Sequence, residues 1–159
     1  MFLYVFWTFF IVLVFLALFL SFKIAVADMR RRIIPDAYLF PLLILGLIVT
    51  ANFPWVCDIH SGITGMAFGY ILAAVTGLCF ERFLTKRDPA AELPIGLGDI
   101  KLISVGGLWA GPSCLALSLV FACIFGWAWA HTKKQKFIPF APFFISGEIL
   151  SLIIFSFLV

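Results

Sequence analysis

The chain has 159 residues, 64% of them hydrophobic and only 12% charged, with a formal net charge of +3. Soluble globular domains carry about a quarter charged residues, so the composition excludes a water-soluble enzyme. It points instead to an all-α polytopic membrane protein, a single domain over residues 1–159 with no room for a large soluble module.

Hydropathy along the chain predicts about six transmembrane segments, at 2–22, 37–53, 61–80, 99–111, 114–131 and 138–158. Residues 1–22 hold no charge, no basic leader region and no small-residue cleavage site, so they read as a retained helix and not as a secretory signal. Between the segments the sequence predicts a polar stretch at 23–36, a turn near Asn52 to His60, a polar loop at 81–98, a tight Gly111-Pro112 turn and a basic linker from His131 to Lys136. Cys57, Cys79, Cys114 and Cys123 form no CxxC pair, and three lie in apolar runs. They are expected as small buried hydrophobes, with neither a metal site nor a disulfide framework.

The basic residues orient the chain. Lys23 and Arg30 to Arg32 fall in the first loop, Arg82, Lys86, Arg87 and Lys101 in or beside the third, and Lys133, Lys134 and Lys136 in the fifth. Cytoplasmic loops retain Lys and Arg, so both termini are expected outside the cytoplasm and the odd-numbered loops within it. "RRR" then reads as a positive-inside anchor, with contact to anionic headgroups as a lesser role. No folded basic surface suggests a nucleic-acid partner.

The acids are expected to gather on that same side: Asp28, Asp36, Glu81, Asp88, Glu92, Asp99 and Glu148, with Asp58 alone outside. Asp28 follows "SFKIAVA" and would ride on the cytoplasmic end of the first helix. Asp99 opens the fourth helix after Gly96 and Gly98, where glycine allows unusual backbone angles or a close approach. Each acid alone reads as a solvated flank or a cap. Together, at one depth on one face, they are candidates for function. Two carboxyls a few ångströms apart share a proton, so one can take a proton from water while the other donates to a carbonyl oxygen. Such a pair titrates as a unit. His60 is expected on the outer side and His131 in a basic linker, so no histidine arrangement competes.

Three motifs carry a resemblance. "DMRRRIIPD" (Asp28 to Asp36) resembles the first aspartate motif of type IV prepilin peptidases. "GLGDIKLISVGGLWAG" (Gly96 to Gly111) is similar to their second, and "FIPFAPFFISG" (Phe137 to Gly147) to the segment opening their last helix, with Ala141 where glycine is common. The resemblance implies an aspartic endopeptidase that cuts the basic leader from prepilins or pseudopilins at the cytoplasmic face of the bacterial inner membrane. Asp28 and Asp99 would be its catalytic pair, with Gly96 and Gly98 shaping the site. Lys101 would neutralise charge or orient a carboxylate, or else snorkel to the interface. Pro35 would start the second helix, and Asp36 would cap it or touch substrate, capping being favoured. Glu81, Asp88 and Glu92 would be solvated or meet the leader.

Larger members carry an added Cys-x-x-Cys domain and methylate the new N-terminus. This chain starts at its first helix without one, so it resembles the compact branch. No cofactor or metal is expected, S-adenosylmethionine being needed only if methyl transfer is retained. An ion-coupled transporter would place acids at the bilayer midplane, and a non-catalytic subunit of a pilus or secretion machine would use them for assembly. A presenilin-like protease shares the second motif but expects Tyr-Asp, whereas Asp28 follows Ala27.

Overall fold

A computed structural model of the chain describes residues 2–55, 57–85, 95–133 and 138–158. Among them are five helices: α1 (Phe2–Arg31), α2 (Asp36–Asn52), α3 (Ile59–Thr85), α4 (Leu97–Lys133) and α5 (Phe140–Leu158). Helix is the form in which an apolar segment satisfies its own backbone in hydrocarbon. Among the described residues, α1, α3, α4 and α5 are long and apolar enough to cross a membrane, while α2, with 17 residues, is a shorter apolar helix. The protein is a multi-pass membrane protein.

One expected boundary moves, and α4 breaks where the Gly111-Pro112 turn was expected. Residues 23–31 continue α1 to Arg31. The charges of "KIAVADMRR" are those of a helix end reaching the interface and do not break it. The fourth and fifth segments are the two arms of α4, which breaks at Gly111 (φ 72, ψ 174) ahead of Pro112. Packing shows that the chain reverses there. A methyl on Gly69 of α3 would meet the Ile103 carbonyl oxygen and Leu115 Cδ2, both at 2.9 Å, although those residues stand on opposite sides of Gly111. One left-handed residue makes the whole turn, and only glycine takes that φ without strain. The first arm, residues 97–110, is about 21 Å long at 1.5 Å per residue, short of the roughly 30 Å of a bilayer core.

Small residues hold the helices together. Gly62, Gly65 and Gly69 of α3 lie against the backbone of Leu108, Gly107 and Ile103, a spacing that lets membrane helices pack backbone to backbone. Ser104 Oγ donates to the Met66 carbonyl at 3.0 Å across the same seam. Helix α5 then packs on both arms of α4: Gly147 lies against Ser118 and Ala122 of the second arm, and Gly106 of the first against Phe144. Phe143 meets Gly126, Gly147 meets Ser118 and the Ser151 carbonyl meets Cys114, so α5 runs antiparallel to the second arm and hence parallel to the first.

The two ends of the bundle differ chemically. At one end Phe6, Phe10, Phe53 and Trp55 form an aromatic cluster, with ring centroids 4.8 to 6.0 Å apart. Such belts favour the membrane–water interface. Eighteen helical steps of α1 separate Phe10 from Asp28, about 27 Å of helix and nearly the thickness of the hydrocarbon core. The acids Asp28, Asp36 and Asp99 therefore collect at the opposite end with Lys101. Lys86, Arg87, Asp88, Glu92, Lys134 and Lys136 lie outside the described residues.

Candidate active site at the charged end

Asp28 occupies the last turn of α1 and is only 5% exposed. Its Oδ2 accepts a hydrogen bond from the Ala141 backbone N–H at 2.8 Å. Ala141 is the second residue of α5, where the backbone N–H has no partner within its own helix. The local sequence "IPFAP" fixes that start: proline disfavours helix in the residue before it, so α5 begins just after Pro139, and Pro142 is tolerated in the first turn. The N-terminus of α5 thus orients the carboxyl of α1.

Asp99 is the third residue of α4. Its Oδ2 accepts from the Gly96 N–H at 3.0 Å, while the Gly96 carbonyl accepts from the N–H groups of Asp99 and Ile100 at 3.1 and 3.3 Å. This is one half of a capping box: the Asp99 side chain satisfies the Gly96 N–H, and glycine has no side chain to return the bond. Neither Gly96 nor Gly98 has a positive φ, so the expectation of unusual backbone angles is corrected. Close approach is the operative reason at Gly98, where a methyl would lie 3.0 Å from Ile34 Cβ.

Both acids line one open cleft of ≈ 320 Å³, walled by Gly96, Gly98, Ile33, Ile34, Arg32, Ile138, Pro139 and Phe140. Asp99 lies within the electrostatic reach of Asp28, and Asp28 within that of Arg32. Three separate helix ends supply the cleft: the C-terminus of α1 and the N-termini of α4 and α5. Two carboxyls lining one open cleft are the ingredients an acid–base pair requires.

Of the residues singled out in the sequence, Asp28, Asp99, Gly96 and Gly98 meet in this cleft; Lys101, Pro35 and Asp36 do not line it. Lys101 Nζ instead holds both oxygens of Asp36, at 2.9 and 2.8 Å, a partly exposed ion pair tying α2 to α4. The favoured cap role of Asp36 is therefore corrected: Pro35 stands at the N-cap position, no side chain caps α2, and Asp36 is its first helical residue. Proline at the position just before the helix leaves its carbonyl to accept from the N–H groups of Tyr38 and Leu39.

Two residues of interest went unread in the sequence. Arg32, taken as one of three anchoring arginines, ends α1 in the left-handed region (φ 54), and its N–H bonds to the Asp28 carbonyl at 2.9 Å. That turn aims it at the cleft, and position in a row of three gave no sign of it. Glu148, expected with the acids at the charged end, sits eight residues inside α5. Its Oε1 is buried and, among the described residues, finds no hydrogen-bond partner.

Residues 12–131 match the model of the type IV leader peptidase family, a span that includes both acids. Curated relatives agree. The chain is 28% identical over 146 residues to the prepilin leader peptidase/N-methyltransferase of Escherichia coli, covering 86% of this chain and 62% of that protein. It is 28% identical over 123 residues to the protein of the same name in Stutzerimonas stutzeri, covering 73% and 40% respectively. The Bacillus subtilis counterpart is 27% identical over 138 residues, covering 80% and 50%. The chain therefore spans roughly two fifths to three fifths of the length of these relatives. No solved structure matches it significantly. With three quarters of its length inside the family match, the chain belongs to the type IV leader peptidase family.

Proposed function

We propose that this chain is an aspartic endopeptidase of the inner membrane that removes the basic leader from prepilins or pseudopilins at the cytoplasmic face. One observation carries the reading: Asp28 and Asp99, from separate helices, line the same cleft at the charged end of the bundle. The relatives' names supply the substrate class. A prepilin joins a basic leader to a hydrophobic helix, so its junction lies at the membrane rim, level with the two acids. The clustering of basic residues at this end supports a cytoplasmic orientation.

The chemistry draws on two carboxyls and a water. The ionised member of the pair takes a proton from water as its oxygen attacks the scissile carbonyl carbon. The protonated member gives its proton to the carbonyl oxygen, forming a neutral tetrahedral gem-diol. The C–N bond then breaks as the nitrogen gains a proton from the acid that took one from water. A gem-diol hydroxyl returns its proton to the other acid, restoring the pair. Either aspartate can begin in either role. The hydrogen bond from Ala141 to Asp28 and that from Gly96 to Asp99 hold one oxygen of each in place.

The test is co-expression with a prepilin encoded in the same genome, read as a leader-length shift on a gel and by mass spectrometry of the new N-terminus. Cleavage by the wild type, and none by a double Asp28→Asn, Asp99→Asn variant that still inserts, is the expected outcome. Intact prepilin beside the wild type, or cleavage by the double variant, would end the proposal.

A further inference from the structure

Glu148 has no part in the chemistry above, yet its surroundings are unusual. It borders a cavity of ≈ 170 Å³ whose other walls are largely apolar, formed by residues such as Ala17, Leu102, Val105 and Leu152. Its Oε1 is buried and, among the described residues, unpartnered. A methyl on Gly106 would stand 2.9 Å from Oε2, so a glycine on α4 makes room for the carboxyl. An unmade hydrogen bond at a buried polar atom costs about 1–3 kcal/mol, and ionisable groups within a membrane span are functional candidates by default. Something should complete this group.

The cavity is not isolated. Leu18, Ser21, Ile145 and Ile149 line both it and a lateral groove of ≈ 300 Å³ that follows α1 and α5 to Ala25 and Pro142. About one turn further along the same two helices stand Asp28 and Pro139, which wall the cleft of the two acids. Cavity and groove together thus run along α1 and α5 from Glu148 to within about one turn of the cleft that holds the two acids.

A peptide bond inside a helix is shielded by its own hydrogen bonds, so hydrolysis requires an extended segment. Extending the start of a membrane helix leaves up to four backbone N–H groups without acceptors, and hydrocarbon offers them none. Between Ala141, whose N–H holds Asp28, and Glu148 lie seven steps of α5, about 10 Å. Three extended residues cover the same distance at about 3.3 Å each. A substrate unwound for three residues past the scissile bond would begin its helix level with Glu148.

We propose that the α1–α5 groove receives the membrane helix of the substrate, and that Glu148 caps that helix by accepting hydrogen bonds from its exposed N–H groups. A carboxyl also suits the positive end of the helix dipole. The assignment rests on the peptidase reading given above. A lipid chain, the competing occupant, would leave Oε1 unpartnered.

Two measurements on the full chain in proteoliposomes test it, with a prepilin from the same genome as probe. Glu148→Leu removes the acceptor and should raise KM about tenfold with kcat within about twofold, the signature of binding lost equally in ground and transition states. Glu148→Gln keeps an acceptor oxygen and should stay within about threefold of wild type. The leucine variant should melt no lower than wild type, because it deletes an unsatisfied polar group. A wild-type KM for Glu148→Leu, a loss confined to kcat, or an equal loss in Glu148→Gln would overturn the capping role.

In an Asp99→Asn background, a photo-crosslinker at Leu18 should capture prepilin, while one at the exposed Leu78 of α3 should not. Adducts with lipid alone, or equal capture at both positions, would overturn the groove. Cross-linking does not need cleavage, so a failure of the peptidase reading stays distinguishable from a failure of this one.

Discussion

Replacing Gly65 with alanine should destabilise the bundle, although alanine is the better helix former. The added methyl would lie 2.8 Å from both Cα and the carbonyl carbon of Gly111 and would also press on the Gly107 carbonyl oxygen. Carbon atoms rest about 3.5–4.0 Å apart, so α3 must withdraw from α4 by roughly 1 Å. Every atom it meets is backbone, and no rotamer change can relieve the contact. Overpacking of this kind costs about 1–3 kcal/mol. The better propensity of alanine returns about 1 kcal/mol. The net loss should be about 0–2 kcal/mol. Gly77→Ala on the same helix supplies the control: its methyl would find its nearest atoms 3.9 and 4.0 Å away, so only the propensity gain remains. Unfolding by sodium dodecyl sulfate in bicelles, followed by tryptophan fluorescence, reads both. Shifts of the same sign in the two variants would refute the view that backbone contact sets the α3–α4 seam.

Three further expectations concern the charged end. Lys101→Met breaks a pair whose partners are 43% and 47% exposed, so stability should change by about 0–1 kcal/mol and prepilin cleavage by less than about threefold; a near-complete loss would put Lys101 in the chemistry. Arg32→Gly releases a left-handed residue (φ 54), worth about 1 kcal/mol of stability on chemical denaturation, while withdrawing a cation near Asp28 should slow cleavage about tenfold. Finally, kcat should trace a bell against pH, rising as the first proton leaves the pair to create a base and falling as the second leaves and removes the acid; a profile with a single limb would contradict a shared proton.

Much of this was legible in the residues, for physical reasons. Apolar runs of membrane length identify helices because lipid leaves the backbone few alternatives, and the expected 37–53 agrees with Asp36–Asn52 to within a residue at either end. Asp28 and Asp99 stood out because each follows or precedes an apolar run on the basic side. Asp28 was legible as riding on the end of the first helix, but the run of α1 to Arg31 was not, because charges at a water-facing helix end look the same as a loop in composition. The Gly111-Pro112 turn was visible as a break, but not that one residue would suffice for it. Glu148 was misplaced because a lone acid near a segment boundary says nothing of depth, and its depth follows only from where Pro139 starts α5. The Lys101–Asp36 pair spans 65 residues, a separation that local pattern cannot bridge.

The central claim is that Asp28 and Asp99 act as one unit. A double-mutant cycle tests it most directly, using cleavage rates of the purified wild type, Asp28→Asn, Asp99→Asn and the double variant on one prepilin in proteoliposomes. Either single change should abolish about as much rate as both together, because a pair that needs both members loses everything with the first. Single losses that multiply to give the double, or one variant that retains a near wild-type rate, would contradict it.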